Sequence, residues 1–129
     1  VLRIKLKYLD ADNEKRRQLA EYYTDQLSDL SIQLPEVRAE SESVFHLYVL
    51  QVEDRQGLLE YLKGKDIQAG VHYPVPVHLQ PAYQDRILTA NDMSITENLT
   101  ENIISLPMYP ELSENDAKKI VDVLREFLD

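Results

Sequence analysis

The chain has 129 residues, 43% of them hydrophobic and 29% charged, a composition suited to one folded domain with a buried core. Its 23 acidic side chains against 14 basic ones give a formal charge of −9, a surface that repels phosphate backbones and argues against nucleic acid as a partner. Cysteine is absent, which removes disulfides, thiolate nucleophiles and Cys-ligated metals, and no apolar run approaches the ~20 residues that span a bilayer.

The first segment, VLRIKLKYLD, reads two ways. Leu2, Ile4, Leu6 and Tyr8 alternate as in a strand, while Leu2, Leu6 and Leu9 share one helical face; periodicity alone leans to the strand. From Asp12 onward, Leu19, Ala20, Tyr23, Leu27 and Leu30 recur at helical spacing, which predicts an amphipathic helix capped by Asp12 and ended before Pro35. Val44–Val52, read VFHLYVLQV, is nearly continuous in β-branched, aromatic and aliphatic residues and predicts a strand buried on both faces. His46 within it is expected to be a hydrogen-bonded core or edge residue. Asp54 then caps a helix over Arg55–Lys63 that Gly64 ends.

A short strand leads into Ala69–Tyr83, AGVHYPVPVHLQPAY. This stretch holds two of the chain's three histidines and three of its six prolines. Pro74 and Pro76 fix φ and remove donors, so the segment suits a sheet edge and not its middle. A stiff segment with imidazoles and phenols loses little entropy when it binds, and neutral imidazole and phenol can donate to phosphate or hydroxyl oxygens. Surface histidines on a proline-stiffened loop are the plainer reading of the same residues. Metal is disfavoured, because His72 and His78 have no acidic residue between Asp66 and Asp85 to complete a shell. Neither a nucleophile elbow nor a glycine-rich phosphate loop occurs.

Gln84–Met93 reads as a loop. Ser94 or Thr96 starts a helix with Ile95, Leu99 and Ile103 on its apolar side, and Ile104–Met108 is the third strand. Ser113-Glu114-Asn115-Asp116 has the capping-box form, followed by the stripe Ala117, Ile120, Val121, Leu124, Phe127 and Leu128. The order predicts an α/β (α+β sandwich) fold, with a small, mostly antiparallel three-stranded sheet covered by helices.

The runs GVHYPVPVHLQPAY and ISLPMYPELSENDAKKIVDVL resemble the C-terminal part of the DegT/DnrJ/StrS sugar aminotransferases, and KLKYLDADNEKRRQLAEYY and VFHLYVLQVEDRQGLLEYL extend the resemblance over nearly the whole chain. It implies the small C-terminal domain of a fold type I enzyme, spanning 1–129, with Leu2–Leu9 helical and the large pyridoxal-phosphate-binding domain absent from the chain. It also implies pyridoxal 5'-phosphate as cofactor, a nucleotide-diphosphate sugar as substrate, glutamate as amino donor, a homodimer partner and a cytoplasmic place in polysaccharide or secondary-metabolite sugar synthesis. His72, Tyr73 and His78 are then expected near the substrate, with Gln80 and Tyr83 in the same motif. None of the chain's seven lysines falls in the family's lysine motif, so no catalytic residue is expected here, and the chain by itself is expected to be an inactive fragment. A dehydratase relative using the same cofactor and a non-catalytic binding or regulatory module are the alternative readings.

Overall fold

The computed structural model describes residues 1–83, 86–89 and 92–128. Five helices and two strands are present among them: α1 (Leu2–Lys5), α2 (Leu9–Leu27), β1 (Tyr48–Gln51), α3 (Arg55–Gly64), α4 (Ser94–Asn102), β2 (Ile103–Leu106) and α5 (Glu114–Leu128), with a 3-10 turn at Val77–Leu79.

The two strands pair antiparallel, with Tyr48 opposite Leu106 and Gln51 opposite Ile103. Two single bridges widen this ribbon, Gln33 against Gln51 on one side and Gly70 against Ser105 on the other. The expected mixed, antiparallel architecture is therefore present, but the short strand expected to lead into the proline-rich segment is reduced to one bridged pair. Gly70 exchanges both backbone hydrogen bonds with Ser105, at 3.0 and 2.7 Å. Pairing stops there as the chain bends at His72, and Pro74 and Pro76 beyond it have no N–H with which to resume the ladder. β2 thus lies between β1 and the proline-rich segment.

The core is one cluster. Tyr23 and Leu27 of α2, Tyr48 and Leu50 of β1, Leu58 and Leu62 of α3, Ile104 of β2 and Leu124 of α5 are fully enclosed in it. Tyr23 and Tyr48 meet edge to face at 5.2 Å. Their hydroxyls are both satisfied, Tyr23 donating to the Pro107 carbonyl at 3.1 Å and Tyr48 pairing with Thr24 at 2.9 Å. α5 presents Ala117, Ile120, Val121, Val123 and Leu124 to the cluster, and the N-cap half of its expected capping box is present: Ser113 Oγ accepts from the Asp116 N–H at 3.1 Å, while the Asp116 carboxylate accepts from the Ser113 hydroxyl at 2.6 Å.

Several local expectations are corrected. The amino-terminal segment is helical over Leu2–Lys5, as the family resemblance implies and the alternation does not, but it turns at residues 6–8 and does not run on to Leu9 as one helix. α2 starts at Leu9, so Asp12 lies inside it and does not cap it. β1 is shorter than Val44–Val52 and alternates buried with half-buried residues, because its second face is only partly covered. His46 precedes the strand in a bend and is exposed. Gly64 is the last residue of α3, and the left-handed residue beyond it is Asp66, at φ 60°. β2 begins at Ile103 and stops before Pro107. Of the expected loop Gln84–Met93, residues Gln84, Asp85, Ala90 and Asn91 lie outside the described residues.

An apolar surface at the amino-terminal end is left uncovered. Val1, Leu2, Ile4, Leu6, Tyr8 and Leu9 are all exposed, Leu2 to 82%. Among the described residues no helix is long and apolar enough to cross a membrane.

Candidate functional site

The Gly70–Ser105 bridge fixes where the proline-rich segment leaves the sheet, and His72 follows two residues later. Its Nδ1 lies 2.9 Å from Ser105 Oγ. Ser105 is the only buried polar residue found among the described residues, at 3% exposure, whereas His72 as a residue is exposed. Gly70 allows this approach, since a Cβ there would sit 2.9 Å from His72 Cε1, closer than packed carbon atoms come. The Tyr73 ring stands edge-on to His72, with centroids 5.6 Å apart and planes at 81°, and is 71% exposed.

His78 is held differently. It sits in the 3-10 turn, its side chain 11% exposed, with Nε2 2.9 Å from Oε1 of Glu97 in the first turn of α4. Gln80 is half-buried, and its carbonyl accepts from the Tyr83 N–H at 2.8 Å. Tyr83 is exposed. The fold therefore brings His72 and Tyr73 together, while His78 faces α4. No hydrogen bond or ring contact joins His78 to either of them among the described residues.

Two partners were not marked by sequence reasoning. Ser105 is an ordinary serine in a strand pattern, and Glu97 is one of 23 acidic residues. Only the pairing of β2 with Gly70 and the return of the chain through α4 single them out.

The segment forms an open surface. Val75, Val77 and Leu79 are exposed beside Tyr73 and Tyr83, while Pro76 is buried and pins the chain to the body. A separate cleft of about 600 Å³ lies between α2 and the start of α5, lined by Lys15, Leu19, Tyr22, Tyr109, Leu112 and Lys118 among others. None of its lining comes from the proline-rich segment. Among the described residues no group of three or more His, Cys, Asp or Glu could hold a metal ion.

The profile of the DegT/DnrJ/EryC1/StrS aminotransferase family matches residues 1–125. The chain belongs to that family. The erythromycin biosynthesis sensory transduction protein EryC1 of Saccharopolyspora erythraea is 40% identical over 97% of this chain and 34% of its own length. A dTDP-3-amino-3,6-dideoxy-alpha-D-galactopyranose transaminase of Aneurinibacillus thermoaerophilus is 35% identical over 98% of the chain and 34% of its own. Among solved structures, DesV of S. venezuelae in complex with a ketimine intermediate superposes over the whole chain and 35% of its own length, with a TM-score of 0.95 and 35% identity. The chain thus spans about a third of the length of the curated relatives it matches.

Membership in this aminotransferase family implies pyridoxal phosphate, and the residues present do not fit its covalent anchoring. An amine that forms a Schiff base needs a desolvated pocket that lowers its pKa. Lys5, Lys7, Lys15, Lys63, Lys118 and Lys119 are exposed. Lys65 is half-exposed over the Tyr61 ring, and hydrogen bonding to the Glu126 carboxylate raises its pKa, the opposite direction.

Proposed function

We propose that this chain acts as the small C-terminal domain of a pyridoxal-phosphate nucleotide-sugar aminotransferase, and that Ala69–Tyr83 is the wall it contributes to the active site. The observation that supports this best is the open face on which His72 and Tyr73 stand side by side, on the same sequence run that carries the family resemblance. A stiff, unroofed surface with an imidazole and phenols among exposed aliphatic side chains suits one side of a site completed by other parts of the protein. The cofactor and its lysine belong to a larger domain in this reading, in keeping with the share of its relatives that the chain spans. His72, Tyr73 and His78 contribute to the nucleotide-sugar side, with Gln80 and Tyr83 supporting the segment's shape. Glutamate is the amino donor, the partner is a second copy of the whole enzyme, and the setting is cytoplasmic sugar biosynthesis.

Separate assay of the two half-reactions in the full-length protein tests the wall. Tyr73→Ala or His78→Ala should weaken use of the keto sugar nucleotide at least ~10-fold more than use of glutamate, the scale of about one lost binding interaction. Equal losses in both half-reactions would count against the assignment.

One similar protein bears a sensory-transduction name, which raises a regulatory reading. The charge of −9 disfavours direct DNA binding. Binding of the chain to duplex DNA at low salt, weakening steeply as salt is added, would favour the regulatory role.

A further inference from the structure

We infer that Ser105 is a positioning residue that fixes the tautomer of His72, so that the neutral ring presents Nε2–H outward as a hydrogen-bond donor. The argument starts from the buried hydroxyl. Ser105 is 3% exposed, and among the described residues its Oγ has one hydrogen-bond partner, His72 Nδ1 at 2.9 Å. Its backbone groups are already committed, the N–H donating to Gly70 O and the carbonyl accepting from Gly70 N.

Two arrangements share this distance. If Nδ1–H donates to Oγ, the hydroxyl hydrogen is left in the interior with no acceptor, and an unsatisfied buried donor carries a full desolvation penalty. If the hydroxyl donates to Nδ1, that penalty disappears, and only spare lone pairs on Oγ remain. The second arrangement wins. It leaves the ring proton on Nε2, the nitrogen that makes no hydrogen bond among the described residues, on an exposed residue.

The ring also has little freedom to turn away. Gly70 lies against Cε1 with no Cβ to spare room for, and the Tyr73 ring stands against it edge-on. In this tautomer the neutral His72 ring is a donor with a set direction, suited to an acceptor oxygen such as those of a phosphate group. The choice of a phosphate-type oxygen rests on the wall reading above; the tautomer does not.

Long-range ¹H–¹⁵N correlation on the labelled 129-residue chain, at a pH where the ring is neutral, reads the two nitrogens directly. The expected result is an unprotonated, hydrogen-bonded Nδ1 and a protonated Nε2 for His72. Ser105→Ala should move Nδ1 toward the position of a free acceptor nitrogen, and Ser105→Thr, which keeps the hydroxyl, should restore it. A protonated Nδ1 in the unsubstituted chain overturns the role of Ser105, as does an Nδ1 resonance that Ser105→Ala leaves in place. The unsubstituted spectrum decides the tautomer even if the alanine variant does not fold. His72→Phe in the full-length enzyme addresses the ligand separately: a rise in KM for the nucleotide sugar is expected, and an unchanged KM would sink the outward-facing role together with the wall reading.

Discussion

Glu97 and His78, nineteen positions apart, meet at 2.9 Å, a contact that links α4 to the proline-rich segment. The imidazole is the more enclosed partner, at 11% exposure against 44% for the carboxylate. Removing Glu97 therefore leaves a mostly buried ring nitrogen without its acceptor. Glu97→Ala should cost about 1 kcal/mol, the scale of one side-chain hydrogen bond lost at a partly buried site. The loss should be local. Hydrogen exchange should quicken at Leu79 and Gln80, whose N–H groups donate to Pro76 and Val77 carbonyls, and leave Leu58 unchanged.

Asp54 and Gly57 make a second testable pair. The Asp54 carboxylate caps α3 by accepting from the Gly57 N–H at 2.9 Å. A Cβ on residue 57 would collide with that carboxylate, its Cγ lying 2.7 Å away. Gly→Ala inside a helix ordinarily adds about 1 kcal/mol of stability. Here the gain is offset by loss of a cap of about the same size, so Gly57→Ala should be close to neutral. In an Asp54→Ala background the same change should stabilise by about 1 kcal/mol. A double-mutant cycle by urea denaturation reads the difference, and equal effects of Gly57→Ala in both backgrounds would refute the collision.

Alkaline stability should fall early, with Tyr23 as its main source. Burial pushes the Tyr23 phenol well above its ordinary range, with smaller contributions from neighbouring tyrosines, and burial also raises Tyr48 against the opposing Thr24 hydrogen bond. The sign follows from proton counts. Below about pH 10 the phenol is neutral in both states, while above it only the unfolded chain releases the proton. Stability is thus complete below that pH and declines as pH rises from there toward the folded-state value. Tyr23→Phe should cost about 1 kcal/mol at neutral pH through the lost bond to the Pro107 carbonyl, yet flatten the alkaline slope. An unchanged slope would clear Tyr23 of that role.

Leu50 tests the core itself. It is fully buried on β1, and Ile104 faces it across the ribbon. Leu50→Ala should cost about 3 kcal/mol, by lost transfer energy and the cavity left behind, measured as a lower denaturation midpoint at unchanged m-value.

Local signals carried much of this fold. The caps at Ser113 and Asp54 sit where their sequences place them, because a cap depends only on residues a few positions away. What depended on distant partners was harder to read. Leu2–Leu9 satisfies both periods at once, and only the family resemblance decides it. Alternating apolar residues at Val71, Tyr73, Val75 and Val77 look like a strand, yet the chain bends away after Gly70 and the prolines beyond cannot resume the ladder. His46 looked buried within an apolar run, but the run begins before the sheet does. The candidate site divides the same way. His72, Tyr73 and His78 stand out by residue type, whereas Ser105 and Glu97 acquire meaning only from contacts 33 and 19 positions away.

The bare leucines and isoleucine at the amino-terminal end give the molecule a two-faced colloid chemistry. At low ionic strength nine excess negative charges hold copies apart, although each carries a sticky end made of Leu2, Ile4, Leu6 and their neighbours. At 1 M salt the Debye length shrinks to about 3 Å, which removes the repulsion and leaves apolar attraction intact. Light scattering should therefore rise with salt, reversing the usual salting-in of an acidic protein, and Leu2→Glu with Leu6→Glu should abolish the rise.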